Sequence, residues 1–118
     1  MLGLILMLLL AIAVSVEPAR AAGDAAAGAK IYAERCARCH GKNGEGNGPD
    51  LEKLHPTSSP VNWTRPVVMK QWSDKEIVDI ITKGGKAVRS SPVMPPFGGK
   101  LTEAQIQDLL AFIRSLAK

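Results

Sequence analysis

The chain has 118 residues, a formal net charge of +4 and only two cysteines. This length accommodates one small domain, which excludes a two-domain enzyme. Only two Trp, two Phe and one Tyr are available to build a core, and a short chain buries a smaller share of its surface than a long one. We therefore expect something other than side chains to fill part of the interior.

An uncharged apolar run occupies residues 2–16. As a helix it would be about 22 Å long, shorter than the roughly 30 Å hydrocarbon core of a membrane. The run is typical of a secretory signal, and Ala19 and Ala21 supply the small residues that a signal peptidase reads. We predict a signal peptide over residues 1–21 and a folded domain over residues 22–118, exported to the periplasm. Because no Lys or Arg precedes the run, an uncleaved membrane anchor is the alternative.

The exported part is predicted to begin with a helix over residues 24–35. This stretch is rich in Ala, and the Asp24 carboxylate can accept hydrogen bonds from the free amides at a helix start. Gly28 and Tyr32 lie one turn apart, so Gly28 can let the last helix approach closely while Tyr32 packs beside it. The expected partners on the last helix are Leu109 and Phe112.

Residues 41–72 are predicted to form an irregular segment with short turns. Four glycines and four prolines fall within it, and this density of breakers prevents a long regular element. No strand-like alternation longer than a few residues occurs anywhere in the chain, which indicates an all-α fold.

Two further helices are predicted after this segment. Each begins at a capping box, in which a Ser or Thr accepts from the amide three residues on and a Glu or Gln reaches back. The first box starts at Ser73, and its helix stops at Gly84. The second box starts at Thr102, and its helix has one strongly apolar face. That face consists of Ile106, Leu109, Leu110 and Ile113.

The motif that carries chemistry is CARCH, at residues 36–40. Two thiols one helical turn apart can each bond a vinyl group of haem, and His40 can then place an imidazole nitrogen on the iron. A structural zinc site needs four ligands, and only His55 remains to supply another nitrogen. A thioredoxin-like dithiol needs a βαβ setting, which this sequence lacks. The motif therefore predicts one covalent haem c, attached at Cys36 and Cys39.

Met94 is predicted to be the second axial ligand of the haem iron. It precedes Pro95, which favours extended backbone, and further prolines on both sides stiffen the loop. A Met/His pair suits electron transfer. Met69 and His55 are the alternatives. Met69 lies in a short apolar turn typical of a core position, and His55 lies on a segment expected to wrap the proximal side.

The exported part resembles a class I monohaem cytochrome c, and in particular the short bacterial members that carry electrons in the periplasm. The residues that carry the resemblance are 36–41, 48–51, 94–97 and 101–116. The resemblance implies a fold of three main helices around haem, with the first and last crossing each other. It also implies that the Pro49 carbonyl accepts a hydrogen bond from the His40 imidazole, and that Leu51 packs on the haem face.

If the protein fills both axial positions, no site remains open for substrate and the iron can only change oxidation state. The sequence therefore predicts a one-electron carrier, not an enzyme, that serves periplasmic or membrane redox proteins and binds no nucleic acid. Two alternatives are a catalytic or ligand-binding haem protein with a displaceable sixth ligand, and a dedicated electron-entry subunit of a larger oxidoreductase complex.

A basic ring is predicted around the exposed haem edge. Lys42 follows the haem-binding His40 by two residues, and Lys86 and Lys100 flank the loop that carries Met94. Such a ring would attract redox partners that carry acidic docking patches.

Overall fold

The computed structural model describes residues 23–56, 58–88 and 90–118, so the predicted signal peptide lies outside the described residues. The helices are α1 (Ala25–Arg35), α2 (Ala37–His40), α3 (Leu51–Leu54), α4 (Pro66–Met69), α5 (Asp74–Lys83) and α6 (Glu103–Ser115). A short 3₁₀ turn follows α5 at Lys86–Val88. Among the described residues, β structure is limited to one isolated bridge between Gly98 and Leu101, and the predicted all-α class is confirmed. No described helix has the length and apolar character needed to cross a membrane.

The three long helices begin at the caps that the sequence predicts. The Asp24 carboxylate accepts hydrogen bonds from two first-turn amides of α1 at 2.9 and 3.3 Å. Complete capping boxes precede α5 at Ser73 and α6 at Thr102. α5 ends at Gly84, whose φ of 79° lies in the region that favours glycine. Short-range capping chemistry thus sets these helix boundaries.

α1 and α6 cross at close range, and Gly28 makes the crossing possible. A Cβ atom at Gly28 would lie 2.0 Å from the Asp108 carbonyl oxygen and 2.9 Å from Cβ of Phe112. The Tyr32 side chain is buried, and its ring centroid lies 4.9 Å from that of Phe112. The predicted apolar face of α6 is buried at all four positions, Ile106, Leu109, Leu110 and Ile113. The crossing therefore forms the centre of the core.

Residues 41–72 form an irregular segment, as predicted, and its described residues carry only the single-turn helices α3 and α4. Its first part returns over α2, where the Gly48 and Asp50 amides donate to the Cys39 and Arg38 carbonyls at 3.1 and 2.9 Å. These bonds place the chain around Leu51 against the CARCH motif.

The second part of the segment is held by Arg114 of α6. Its guanidinium donates to the Met69 and Trp72 carbonyls at 3.0 and 2.5 Å and to the Asp74 carboxylate at 2.7 Å. One side chain therefore ties the end of α4 and the start of α5 to the last helix.

Candidate haem site

The CARCH motif lies on α2, directly after α1. The His40 amide donates to the Cys36 carbonyl at 2.9 Å, so this stretch is helical and the two cysteines are one turn apart. Both cysteines are free and half-buried. Burial raises the pKa of the Cys36 thiol to about 11 and also raises the pKa of Cys39. At neutral pH both groups are therefore thiols.

A cavity of about 360 Å³ lies beside α2 and is large enough for a small-molecule cofactor. The CARCH motif, the irregular segment, α5 and the loop before α6 all contribute to its wall. Its lining includes Cys39, His40, Leu51, Pro60, Val61, Trp63, Trp72, Ile80, Val93 and Met94. The wall is therefore mostly apolar, with a thiol, an imidazole and a thioether exposed to the same space.

A larger and more polar groove of about 710 Å³ lies elsewhere, against α5 and the start of α6. Asp79, Thr82, Glu103 and Gln107 contribute to its wall, and no residue of the CARCH motif does. Size alone therefore does not identify the cofactor site, whereas the side-chain chemistry does.

His40 indicates that the smaller cavity holds a group which the chain itself does not supply. Its Nδ1 atom is buried and has no hydrogen-bond partner, although buried polar atoms in proteins almost always have one. Burial lowers the pKa of the imidazole, so the ring is neutral at pH 7 and retains a nitrogen lone pair for a metal. A neutral imidazole, a thioether and one thiol in an apolar wall, with the second thiol one turn earlier, fit haem c.

The hydrogen bond that the resemblance implies between His40 and the Pro49 carbonyl is not formed in the structure. Pro49 is exposed, and it lies between Gly48 and Asp50, whose amides are bonded to the α2 backbone. The two neighbours of Pro49 thus make the hydrogen bonds that hold this turn against α2. The Pro49 carbonyl does not bond to His40, and the Nδ1 atom of His40 stays unpaired.

Met94 lies in the wall of the cavity that His40 also lines. Met69 is instead a core residue, 5% exposed. His55 is exposed and ends α3 in the left-handed region, at φ 43°. Neither Met69 nor His55 is among the described residues that line the cavity, so Met94 is the methionine that shares it with His40.

Of the predicted site residues, the structure brings four together in the cavity wall: Cys39, His40, Leu51 and Met94. Cys36 is half-buried and packs against the core one turn before Cys39. Pro49 is exposed at the surface.

Two tryptophans contribute more to the cavity wall than the sequence indicates. Trp63 and Trp72 pack edge to face, with ring centroids 5.6 Å apart, and both line the cavity. The only signal in the sequence is the scarcity of aromatic residues, which suggests that each has a structural task. The three hydrogen bonds of Arg114 leave no signal in the sequence, because their acceptors lie 40 to 45 residues away.

The family model described as Cytochrome c matches residues 25–117. The cbb3-type cytochrome c oxidase subunit FixP of Bradyrhizobium sp. (strain ORS 278) is 33% identical over 99 residues, which cover 84% of this chain and 30% of FixP. Cytochrome c6 of Thermosynechococcus vestitus is 33% identical over 104 residues, which cover 88% of this chain and 80% of that protein. The solved structure of the KustC0563 c-type cytochrome has 27% identity and a TM-score of 0.61, covering 77% of this chain and 98% of that one.

Proposed function

The chain belongs to the cytochrome c family, and from this premise we propose that it is a one-electron carrier with a single covalent haem c. Cys36 and Cys39 would hold the haem by thioether bonds, and His40 and Met94 would bind its iron. One observation carries the proposal: the neutral imidazole of His40, whose Nδ1 atom is buried, and the thioether of Met94 line the same apolar cavity as the Cys39 thiol.

The bound haem supplies a one-electron iron couple, and the side chains control its surroundings. His40 and Met94 would both bind the iron, which would leave no position open to a substrate. Leu51, Trp63 and Ile80 form apolar wall and keep water away from the site. An apolar shell and a Met/His pair both favour a raised reduction potential. The chain would therefore act as a carrier, with the bound haem exchanging single electrons with redox partners.

The experiment that tests haem attachment uses protein made in a host with haem-attachment machinery. The intact mass, together with the alkaline pyridine spectrum, should show one haem bonded by two thioethers. A mass equal to that of the bare polypeptide would remove the basis of the proposal.

The sixth ligand is tested with a matched pair of variants. Met94→Ala should keep its haem, lose the weak long-wavelength sulfur-to-iron band and bind carbon monoxide. Met69→Ala should keep the band, because Met69 is a core residue. The opposite pattern would assign the ligand to Met69, and carbon monoxide binding by the wild type would favour a catalytic or ligand-binding haem protein.

A second candidate function is that of an electron-entry subunit in a larger oxidoreductase complex. It is supported by the similarity to FixP, of whose length this chain spans 30%. Gentle extraction from native membranes, followed by size-exclusion chromatography, distinguishes a mobile carrier from a subunit of a complex. A haem signal at the size of the free chain supports a mobile carrier, whereas co-elution with an oxidase supports the subunit.

We also propose that the carrier acts in the periplasm and that residues 1–21 direct its export. The support is the apolar run at residues 2–16 followed by Ala19 and Ala21. Mass spectrometry of the native protein should show an N-terminus at Ala22. A retained segment would indicate a membrane-anchored carrier.

A further inference from the structure

The segment that carries Met94 is anchored to the C-terminal end of α5 on both sides. The Gly85 amide donates to the Met94 carbonyl at 3.0 Å, and the Ser90 amide donates to the Gly85 carbonyl at 2.7 Å. Beyond Met94, the Phe97 amide donates to the Ile81 carbonyl of α5 at 2.8 Å. All three bonds are between backbone groups, so they fix the path of the chain independently of side-chain rotamers.

The approach at this anchor leaves no space for a Cβ atom at Gly85 and makes one tight at Gly84. A Cβ atom at Gly85 would lie 2.0 Å from the Ser91 carbonyl oxygen and 3.1 Å from Cβ of Met94. A Cβ atom at Gly84 would lie 3.0 Å from the Met94 carbonyl oxygen and 3.0 Å from the Pro96 nitrogen. Real Cβ atoms do not approach closer than about 3 Å without displacing a neighbour, and here the neighbours are backbone atoms of the Met94 segment.

We propose that Gly84 and Gly85 are positioning residues that hold Met94 at the haem site and so keep the sixth coordination position closed. The inference rests on the proposed function, since it takes Met94 to be the axial ligand. A thioether is a neutral, weak ligand, so a rigid loop that presents it without further ordering favours its binding. The same pair therefore decides whether this chain is a closed electron carrier or binds small ligands at its iron.

The test uses two glycines that both have a positive φ. Gly84 and Gly99 have φ values of 79° and 81°, so the backbone is unfavourable for alanine at both positions. A Cβ at Gly99 would meet nothing within 4 Å, whereas a Cβ at Gly84 presses on the Met94 segment. Holoprotein carrying Gly84→Ala should lose the sulfur-to-iron band, bind carbon monoxide in the ferrous state and have a lower midpoint potential. Gly99→Ala should match the wild type in all three measurements.

Gly85→Ala is the second variant. The φ of Gly85 lies outside the left-handed region, and its Cβ would come closer to the Met94 segment than that of Gly84. It should open the sixth position at least as fully as Gly84→Ala. Intact mass and far-UV circular dichroism identify the folded, haem-loaded variants, and either glycine variant is sufficient for the comparison.

The proposal is overturned if the folded Gly84 or Gly85 variant keeps the band and excludes carbon monoxide as the wild type does. It is also overturned if Gly99→Ala loses the band to the same extent, because backbone strain alone would then be the cause. Met94→Ala distinguishes this failure from failure of the proposed function. If Met94→Ala opens the site and the glycine variants do not, only the positioning role is wrong.

Discussion

Replacing Tyr32 by Phe removes one hydroxyl from the core of the protein. In the structure this hydroxyl donates to the buried Gly41 carbonyl at 2.8 Å, directly after the haem-binding His40. Phe keeps the ring contact with Phe112 at 4.9 Å, so the change is confined to the hydrogen bond. Leaving a buried carbonyl without a partner costs about 1–3 kcal/mol. In a domain of this size the melting temperature should fall by roughly 5–15 °C.

The assay is urea unfolding of the holoprotein, followed by circular dichroism at equilibrium. The matched control is Ser115→Ala, since the Ser115 hydroxyl also donates to a backbone carbonyl, that of Phe112, but at an exposed site. Water can replace that bond, so the control should change stability by no more than about 0.5 kcal/mol. Equal unfolding midpoints for Tyr32→Phe and wild type would refute the reasoning, as would an equal loss in the Ser115 control.

Alkaline pH provides a second measurement on the same variant. Burial, and to a smaller extent Cys36, raise the pKa of Tyr32 above its ordinary value of 10.0. A group whose pKa is raised on folding contributes stability that is complete below the unfolded pKa and is lost as the pH rises beyond it. The stability gap between wild type and Tyr32→Phe should therefore narrow above pH 10.0. A gap that stays constant there would contradict the burial of the hydroxyl.

Three further predictions follow from the site and its supports. Arg114→Gln should destabilise the holoprotein by about 1–3 kcal/mol in urea unfolding, because two backbone carbonyls and a carboxylate lose their guanidinium donor. Unchanged stability would show that these three hydrogen bonds do not stabilise the fold. The double variant Cys36→Ser, Cys39→Ser should be largely unstructured by circular dichroism, since haem must fill the cavity; a cooperative helical apoprotein would contradict this. Lys42→Glu with Lys100→Glu should slow reduction of an acidic redox partner by roughly ten-fold at low salt, with a smaller effect near physiological ionic strength. A rate insensitive to salt and to the charge reversal would place docking on the apolar haem edge alone.

The helix boundaries show how far local sequence patterns reach. The side chains of Asp24, Ser73 and Thr102 accept hydrogen bonds from amides two or three residues away. Each cap can therefore be predicted from a few consecutive residues. The buried face of α6 follows in the same way from spacings of three and four residues. The two thiols of the CARCH motif are likewise one turn apart, at the N-cap of α2 and within it, and His40 follows Cys39 directly.

The hydrogen bond expected between His40 and Pro49 depends on detail that residue identity alone does not specify. The residues needed for it are present, but the structure bonds the neighbouring Gly48 and Asp50 amides to α2 and leaves Nδ1 of His40 unpaired. A hydrogen bond depends on atomic positions within a few tenths of an ångström, and residue identity does not specify positions so closely.

The amino-acid sequence by itself determined the all-α class, the starts of the long helices and the motif on which haem attachment rests, because these depend on neighbours within one or two turns. Only the tertiary structure decided which distant residues share a site. It placed Met94 rather than Met69 in the cavity with His40, and it brought Arg114 to carbonyls more than 40 residues away. The physical reason is that such contacts arise from the packing of whole helices and loops, which becomes defined only when the complete chain has folded.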